Sequence, residues 1–161
     1  MQHLVTGVGG KTGFCEDIHA SCIREVKEET GLDIIQPKLK GVVKTILDPG
    51  DSSWILFIYI ADRFTGHLTP CDEGELYWVP YDQIDSQNLI GFIRIILPQV
   101  LFGDRFVEET FHHDYCGAVS GREHIKLLPM LVNQSVTYVG ELDPCSVVPI
   151  SVVEFYARTS S

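Results

Sequence analysis

No hydrophobic run in this chain approaches the length of a membrane span. The longest, Trp54 to Ala61, is strand length, whereas a helix needs about 20 apolar residues to cross a bilayer. No basic stretch followed by an apolar core opens the sequence, so a secretory leader is not expected. Cationic residues are scarce: 12 Lys and Arg face 22 Asp and Glu, for a formal net charge of -10. That balance argues against a nucleic acid polymer as partner, because such binding draws on Lys and Arg to neutralise phosphates. The five cysteines, Cys15, Cys22, Cys71, Cys116 and Cys145, include no CxxC pair and are odd in number. Reduced thiols are expected rather than a disulfide framework or a zinc site. Internal repeats and low-complexity tracts are absent too. Together these absences predict a cytoplasmic protein without membrane contact, and nothing in the residues fixes an oligomeric state. The 161 residues, 45% of them hydrophobic, suffice for one domain with a real core.

The most informative stretch is Gly9 to Leu32, GGKTGFCEDIHASCIREVKEETGL. Its middle predicts a helix over about Asp17 to Thr30, built from good helix formers and stopped by Gly31. At ~100° per residue, Glu25, Glu28 and Glu29 share one arc of that helix. Arg24 and Lys27 project elsewhere on the helical wheel, so neither is expected to neutralise the whole cluster. An acidic helix face is most often simply solvated. Hard divalent cations, which take oxygen ligands, also suit such a cluster. Cys22, beside Ile23 and Val26, reads as a core residue.

The full pattern is a glycine, five residues, a glutamate, seven residues, then R-E-V-K-E-E-T-G-L. Gly10, Glu16, Arg24, Glu25, Val26, Glu28, Glu29, Gly31 and Leu32 fill its fixed positions. So many positions at fixed spacings form a specific motif, and the chain resembles the Nudix hydrolases. The resemblance implies an α+β fold, an α/β/α sandwich around a mixed sheet, with a metal-bound diphosphate site. It implies Mg2+, with Mn2+ as the alternative, held by Glu25, Glu28, Glu29, the Gly9 carbonyl and a loop acid. Glu73, five residues before Trp78, matches that loop acid, with Asp72 and Glu75 as competitors. Arg24 is implied to pair with a carboxylate, Glu16 being the natural partner, and Glu25 or Glu73 to serve as general base. Gly10 and Lys11 are implied to approach the phosphates.

Outside the motif, Leu39–Leu47 and Ser53–Asp62 predict a hairpin around Asp48-Pro49-Gly50-Asp51. The second run is apolar on both faces and reads as a central strand. Tyr77 and Trp78 read as packing, Gly91–Leu101 as a helix that Pro98 should kink or end early. Phe106–His112 and Arg122–Leu128 read as strands of one hairpin, with His112 and His113 at a surface strand end. In Ser146–Tyr156, Pro149 predicts an edge strand or a break. Residues 1–128 are expected to form the Nudix domain, with its first strands missing ahead of the motif. Residues 129–161 form a strand-rich extension that either covers the sheet edge or is an appended tail.

The wider resemblance, over roughly residues 6–128, is to MutT-like 8-oxo-dGTP diphosphatases. It implies cleavage of a nucleoside triphosphate, an oxidised purine among the candidates, to the monophosphate and pyrophosphate. Where those enzymes hold the base with a tryptophan and acids, this chain has Ile90-Gly91-Phe92-Ile93, which leaves Phe92 as a base contact or as packing. An inactive or binding-only domain, and a pyrophosphatase for ADP-ribose or another nucleoside diphosphate derivative, are the alternatives.

Overall fold

The computed structural model describes residues 5–47, 52–69, 76, 78–89, 91–113, 119–129 and 150–157. Helix α1 (Ile18–Thr30) is followed by strands β1 (Asp33–Ile34), β2 (Lys38–Leu47), β3 (Ser52–Ile60) and β4 (Phe64–Thr65). A 3-10 helix (Tyr81–Ser86), helix α2 (Gly91–Phe102), β5 (Arg105–His113), β6 (Val119–Pro129) and β7 (Ile150–Ala157) follow among the described residues.

Five strands form one sheet in the order β6-β5-β2-β3-β7, while β1 and β4 pair separately. The sheet is mixed: β2 runs parallel to β5 and antiparallel to β3. Parallel neighbours cannot be joined by a tight turn, and β3, β4 and α2 lie in the sequence between β2 and β5. Strand β3 alternates as its sequence implies. Leu56 and Ile58 join a cluster with Val43, Val107, Phe111 and the inner residues of α2. Tyr59 and Phe57 face the other cluster, where Cys22 and Val26 of α1 meet Leu32 and Ile34. One helix therefore covers each face, giving the expected α/β/α sandwich.

The predicted hairpin is present as β2 and β3, and β5 pairs with β6 as expected. Pro98 does not end its helix: α2 runs on to Phe102. Proline leaves the carbonyl four residues earlier, that of Arg94, without its helical donor. Both Pro98 and Arg94 lie on the exposed side of α2, where water can solvate that carbonyl. Strand β7 opens at Ile150, directly after Pro149, and lies antiparallel to β3 at the sheet edge. Residues 131–139 lie outside the described residues. Ahead of the motif, Val5 makes an isolated parallel bridge to Leu89, its N–H donating to Asn88 O at 2.9 Å.

Candidate active site

Both ends of α1 are fixed by its own sequence. The Asp17 carboxylate accepts from the Ala20 N–H at 3.0 Å, satisfying one of the open donors of the first turn. At the other end Gly31 adopts φ 77, the left-handed conformation that a side chain disfavours, and its N–H donates to Lys27 O at 2.9 Å. A Cβ there would lie 2.7 Å from Thr69 Oγ1. The same end is tied to the β4 loop, Thr69 N–H donating to Thr30 O at 2.9 Å. Lys27 leans away from the acidic arc to Asp33, 2.7 Å away.

Arg24 reaches further into the acidic arc than its position on the helical wheel suggests. Its Nε and Nη2 grip the Glu16 carboxylate at 2.7 and 2.8 Å. Its Nη1 reaches Glu25 at 2.8 Å and Glu28 at 2.9 Å. The wheel describes where the Cβ atoms point, whereas a guanidinium on a four-bond stem bridges neighbours one turn away. Its pairing with Glu16 is the one the resemblance implies. Nη2 also donates to Lys11 O at 3.2 Å, so the guanidinium joins the glycine-rich loop to the helix.

The charge states follow from these contacts. The Arg24 guanidinium, helped by the Gly13 N–H, holds the Glu16 carboxyl well below the usual carboxylate range, at about 2. Glu16, then Glu25, in turn raises the Arg24 pKa above its ordinary value. One guanidinium thus anchors three glutamates, which leaves the cluster negative.

Glu29, the fourth glutamate, accepts from the Gly9 N–H at 3.1 Å. Beside it, a Cβ on Gly10 would lie 2.1 Å from Glu25 Oε2. Glycine there is what allows the loop backbone and this carboxylate to approach so closely. The structure thus brings Gly9, Gly10, Lys11, Glu16, Arg24, Glu25, Glu28 and Glu29 together.

Other expected site residues lie elsewhere. Asp72, Glu73 and Glu75 are outside the described residues, as is Tyr77. Phe92 is on α2, across the sheet from α1, with its ring 6.0 Å from that of Phe111. Trp78 stacks on Phe64 at 5.4 Å and serves as packing. Sequence reasoning missed Gly13 and Ser21. Gly13 closes a turn onto Glu16, and the Ser21 hydroxyl accepts from Arg24 at 3.4 Å. The spacing of a glycine three residues before an acid is the signal that could have exposed the first.

Carboxylate oxygens are the donor chemistry a hard divalent cation takes. Glu28 is the most open of the Arg24 partners, its side chain 59% exposed against 13% for Glu25. Among the described residues no group of three or more acids, histidines or cysteines is placed so that it could hold a metal ion. The Arg24 Nη1 sits between Glu25 and Glu28. Carboxylates are the right donor chemistry for such a cation, and binding one here would require Glu28 to exchange its bond to Arg24 for one to the ion.

A mixed sheet between two helices, with a glycine loop folded against an acidic helix, defines a Nudix-type domain. The NUDIX domain family matches residues 3–100, and the chain belongs to that family. It is 45% identical over 85 residues to a protein described as uncharacterized Nudix hydrolase YvcI, from Bacillus subtilis (strain 168). That match covers 50% of this chain and 52% of YvcI, so the chain spans about half the length of this curated relative. Its fold is similar to the crystal structure of a mutator MutT protein from Bacillus halodurans, with a TM-score of 0.66 and 29% identity. That likeness covers 70% of this chain and 76% of the MutT chain. Nudix hydrolases as a family act on small nucleotide derivatives and generally use a divalent metal such as Mg2+. No helix among the described residues is long and apolar enough to cross a membrane.

Proposed function

We propose that this chain is a Mg2+-dependent hydrolase that cleaves a nucleoside triphosphate to the monophosphate and pyrophosphate. Mn2+ is the alternative ion and an oxidised purine such as 8-oxo-dGTP the first candidate substrate. The observation that carries this reading is the setting of Glu29 against Gly9 and of Glu25 against Gly10, with Glu25 and Glu28 paired to Arg24 on the same stretch of helix.

Glu25, Glu28, Glu29 and the Gly9 carbonyl would hold the cation, with Glu73 as a further ligand. When bound, the ion screens the phosphate oxygens and acidifies a water. The rest falls to the chain itself. Glu25, set against Gly10 and steered by Arg24, accepts the proton of the attacking water, with Glu73 as the competing base. Glu16 keeps Arg24 charged and oriented. Gly10 admits the phosphate to the backbone without a Cβ in the way, and the exposed Lys11 supplies an ammonium. Phe92 would touch a base only from the α2 side. Residues 129–161 belong to this reading as an extension whose β7 borders β3. A cytoplasmic location is part of this reading, on the odd cysteine count and the lack of a CxxC pair in the sequence.

The test is pyrophosphate release from a panel of nucleoside triphosphates with and without Mg2+, with Glu28→Gln as the control. Turnover that requires Mg2+ and falls by about a hundredfold or more in the variant is the expected result. Turnover that survives the substitution removes Glu28 from the metal site. Release of AMP and ribose phosphate from ADP-ribose, with the triphosphates untouched, selects the sugar-nucleotide reading instead. Metal or nucleotide binding without turnover selects the binding-only one.

A further inference from the structure

Among the described residues, Phe14 is a large apolar side chain left wholly in water, at 102% relative exposure. The other exposed large hydrophobics, Ile95 and Phe102, are on α2, across the sheet. Phe14 instead lies in the loop that carries Gly9, Gly10 and Glu16. Burying a phenyl ring is one of the larger gains open to a side chain, and this one finds no cover in the core.

The ring is also not on a slack loop. The Glu16 N–H donates to Gly13 O at 3.1 Å, closing a turn with Phe14 at its second position. The Gly13 N–H donates to Glu16 Oε2 at 3.0 Å, and Arg24 holds the Lys11 carbonyl at 3.2 Å. Both flanks of Phe14 are therefore tied to the guanidinium that steers Glu25 and Glu28. Two peptide steps put its Cα within about 7.6 Å of that of Glu16. Other rings on this side of the molecule are engaged: Tyr59 edge-on with His19 at 6.0 Å, and Trp78 with Phe64.

We propose that Phe14 is the shelf on which the base of the nucleotide stacks. This inference rests on the nucleotide-hydrolase reading and adds a specificity residue to it. With phosphates held near Glu25 and Glu29, which border Gly10 and Gly9, a base one sugar away falls within reach of the loop those glycines share with Phe14. Every nucleobase has an aromatic face, and an aromatic residue already fixed by its backbone loses little freedom on stacking. Such a shelf selects for a base without reading which base it is.

The experiment compares dGTP with inorganic triphosphate, which has the phosphates and no base, in wild type, Phe14→Ala and Phe14→Trp. Steady-state kinetics in Mg2+ are paired with calorimetric Kd values. Because the ring is fully exposed, both variants should melt at the wild-type temperature. Phe14→Ala is expected to raise KM and Kd for dGTP by roughly 5- to 150-fold. It should leave kcat and the affinity for triphosphate unchanged, while Phe14→Trp restores dGTP binding. Unchanged dGTP affinity in Phe14→Ala, or equal losses for dGTP and triphosphate, overturns the shelf. So does a wild type that binds dGTP no more tightly than triphosphate. A fall in self-association with unaltered KM overturns it as well and makes Phe14 a contact between copies. If wild type turns over no nucleotide, the hydrolase reading fails, yet the calorimetric difference still decides the role of the ring.

Discussion

On the α2 face of the sheet, Ile93, Ile96, Leu97 and Val100 meet Val107 and Phe111, all but removed from water. On the α1 face, Cys22 and Val26 do the same toward the sheet, while the outer side of the helix carries Arg24, Glu25, Glu28 and Glu29. The first face is held by burial, which is non-directional and worth about 1.5–3 kcal/mol for each large apolar side chain. The second depends on distances near 2.8 Å between charged groups that are partly wet, and partly wet ion pairs contribute little to folding. The comparison teaches that burial holds both helices to the sheet, and that the charged groups are confined to the outer side of α1. The acidic helix can carry like charges side by side because the rest of the fold does not depend on them for its stability.

The largest effect that would sharpen this contrast comes from Phe111, which is fully buried. Phe111→Ala should cost about 3–5 kcal/mol in denaturant unfolding, with the remaining folded fraction retaining its metal affinity. A matching loss of metal affinity by calorimetry would break the separation. Next is Gly10→Ala, whose Cβ would collide with the Glu25 carboxylate. Hydrolysis should drop by about a hundredfold, while the melting temperature moves by only a few degrees, since that carboxylate is the flexible end of a side chain. A collapse of the fold would mean that the loop is structural.

A smaller effect concerns acid. Glu16 has its pKa lowered from 4.5 to about 2, so its contribution to stability is complete above about 4.5 and lost as pH falls towards 2. Wild type should therefore be the more stable partner of Glu16→Gln at pH 6, and the two should converge near pH 2 in acid melts. The smallest effect is that of Glu28→Gln on stability, expected within about 0.5 kcal/mol because the pair is exposed. A larger shift would show that the acidic arc does help hold the fold.

Much of this arrangement was legible in the residues. Helix α1 occupies Ile18–Thr30 with Gly31 in the left-handed conformation, close to the reading of its glycine stop and helix-forming interior. The hairpin of β2 and β3 and the period of two in β3 followed from the residue pattern and the turn residues between the strands, and the pairing of β5 with β6 from the two strand-like runs. What escaped was long-range or side-chain-length information. The parallel pairing of β2 with β5 is set by the connection between them, not by either strand's pattern. The contacts of Arg24 escaped because angular position on a helix says nothing about the reach of a long side chain. The continuation of α2 past Pro98 escaped because the tolerance of a proline depends on which side of the helix faces water. Strands β1 and β4, of two residues each, are too short to leave a periodic signal.

The edge pairing of β3 has a consequence for biogenesis. On one side this strand gains β2 within a few residues, but its other neighbour, β7, lies about ninety residues further along the chain. During synthesis the hydrophobic ribbon from Trp54 to Ile60 therefore emerges with one row of amide groups unpaired, a template for association with other nascent chains. The growing polypeptide passes through a window of aggregation risk that closes only when Ile150–Ala157 has left the ribosome. Shielding by a chaperone would matter most in that interval.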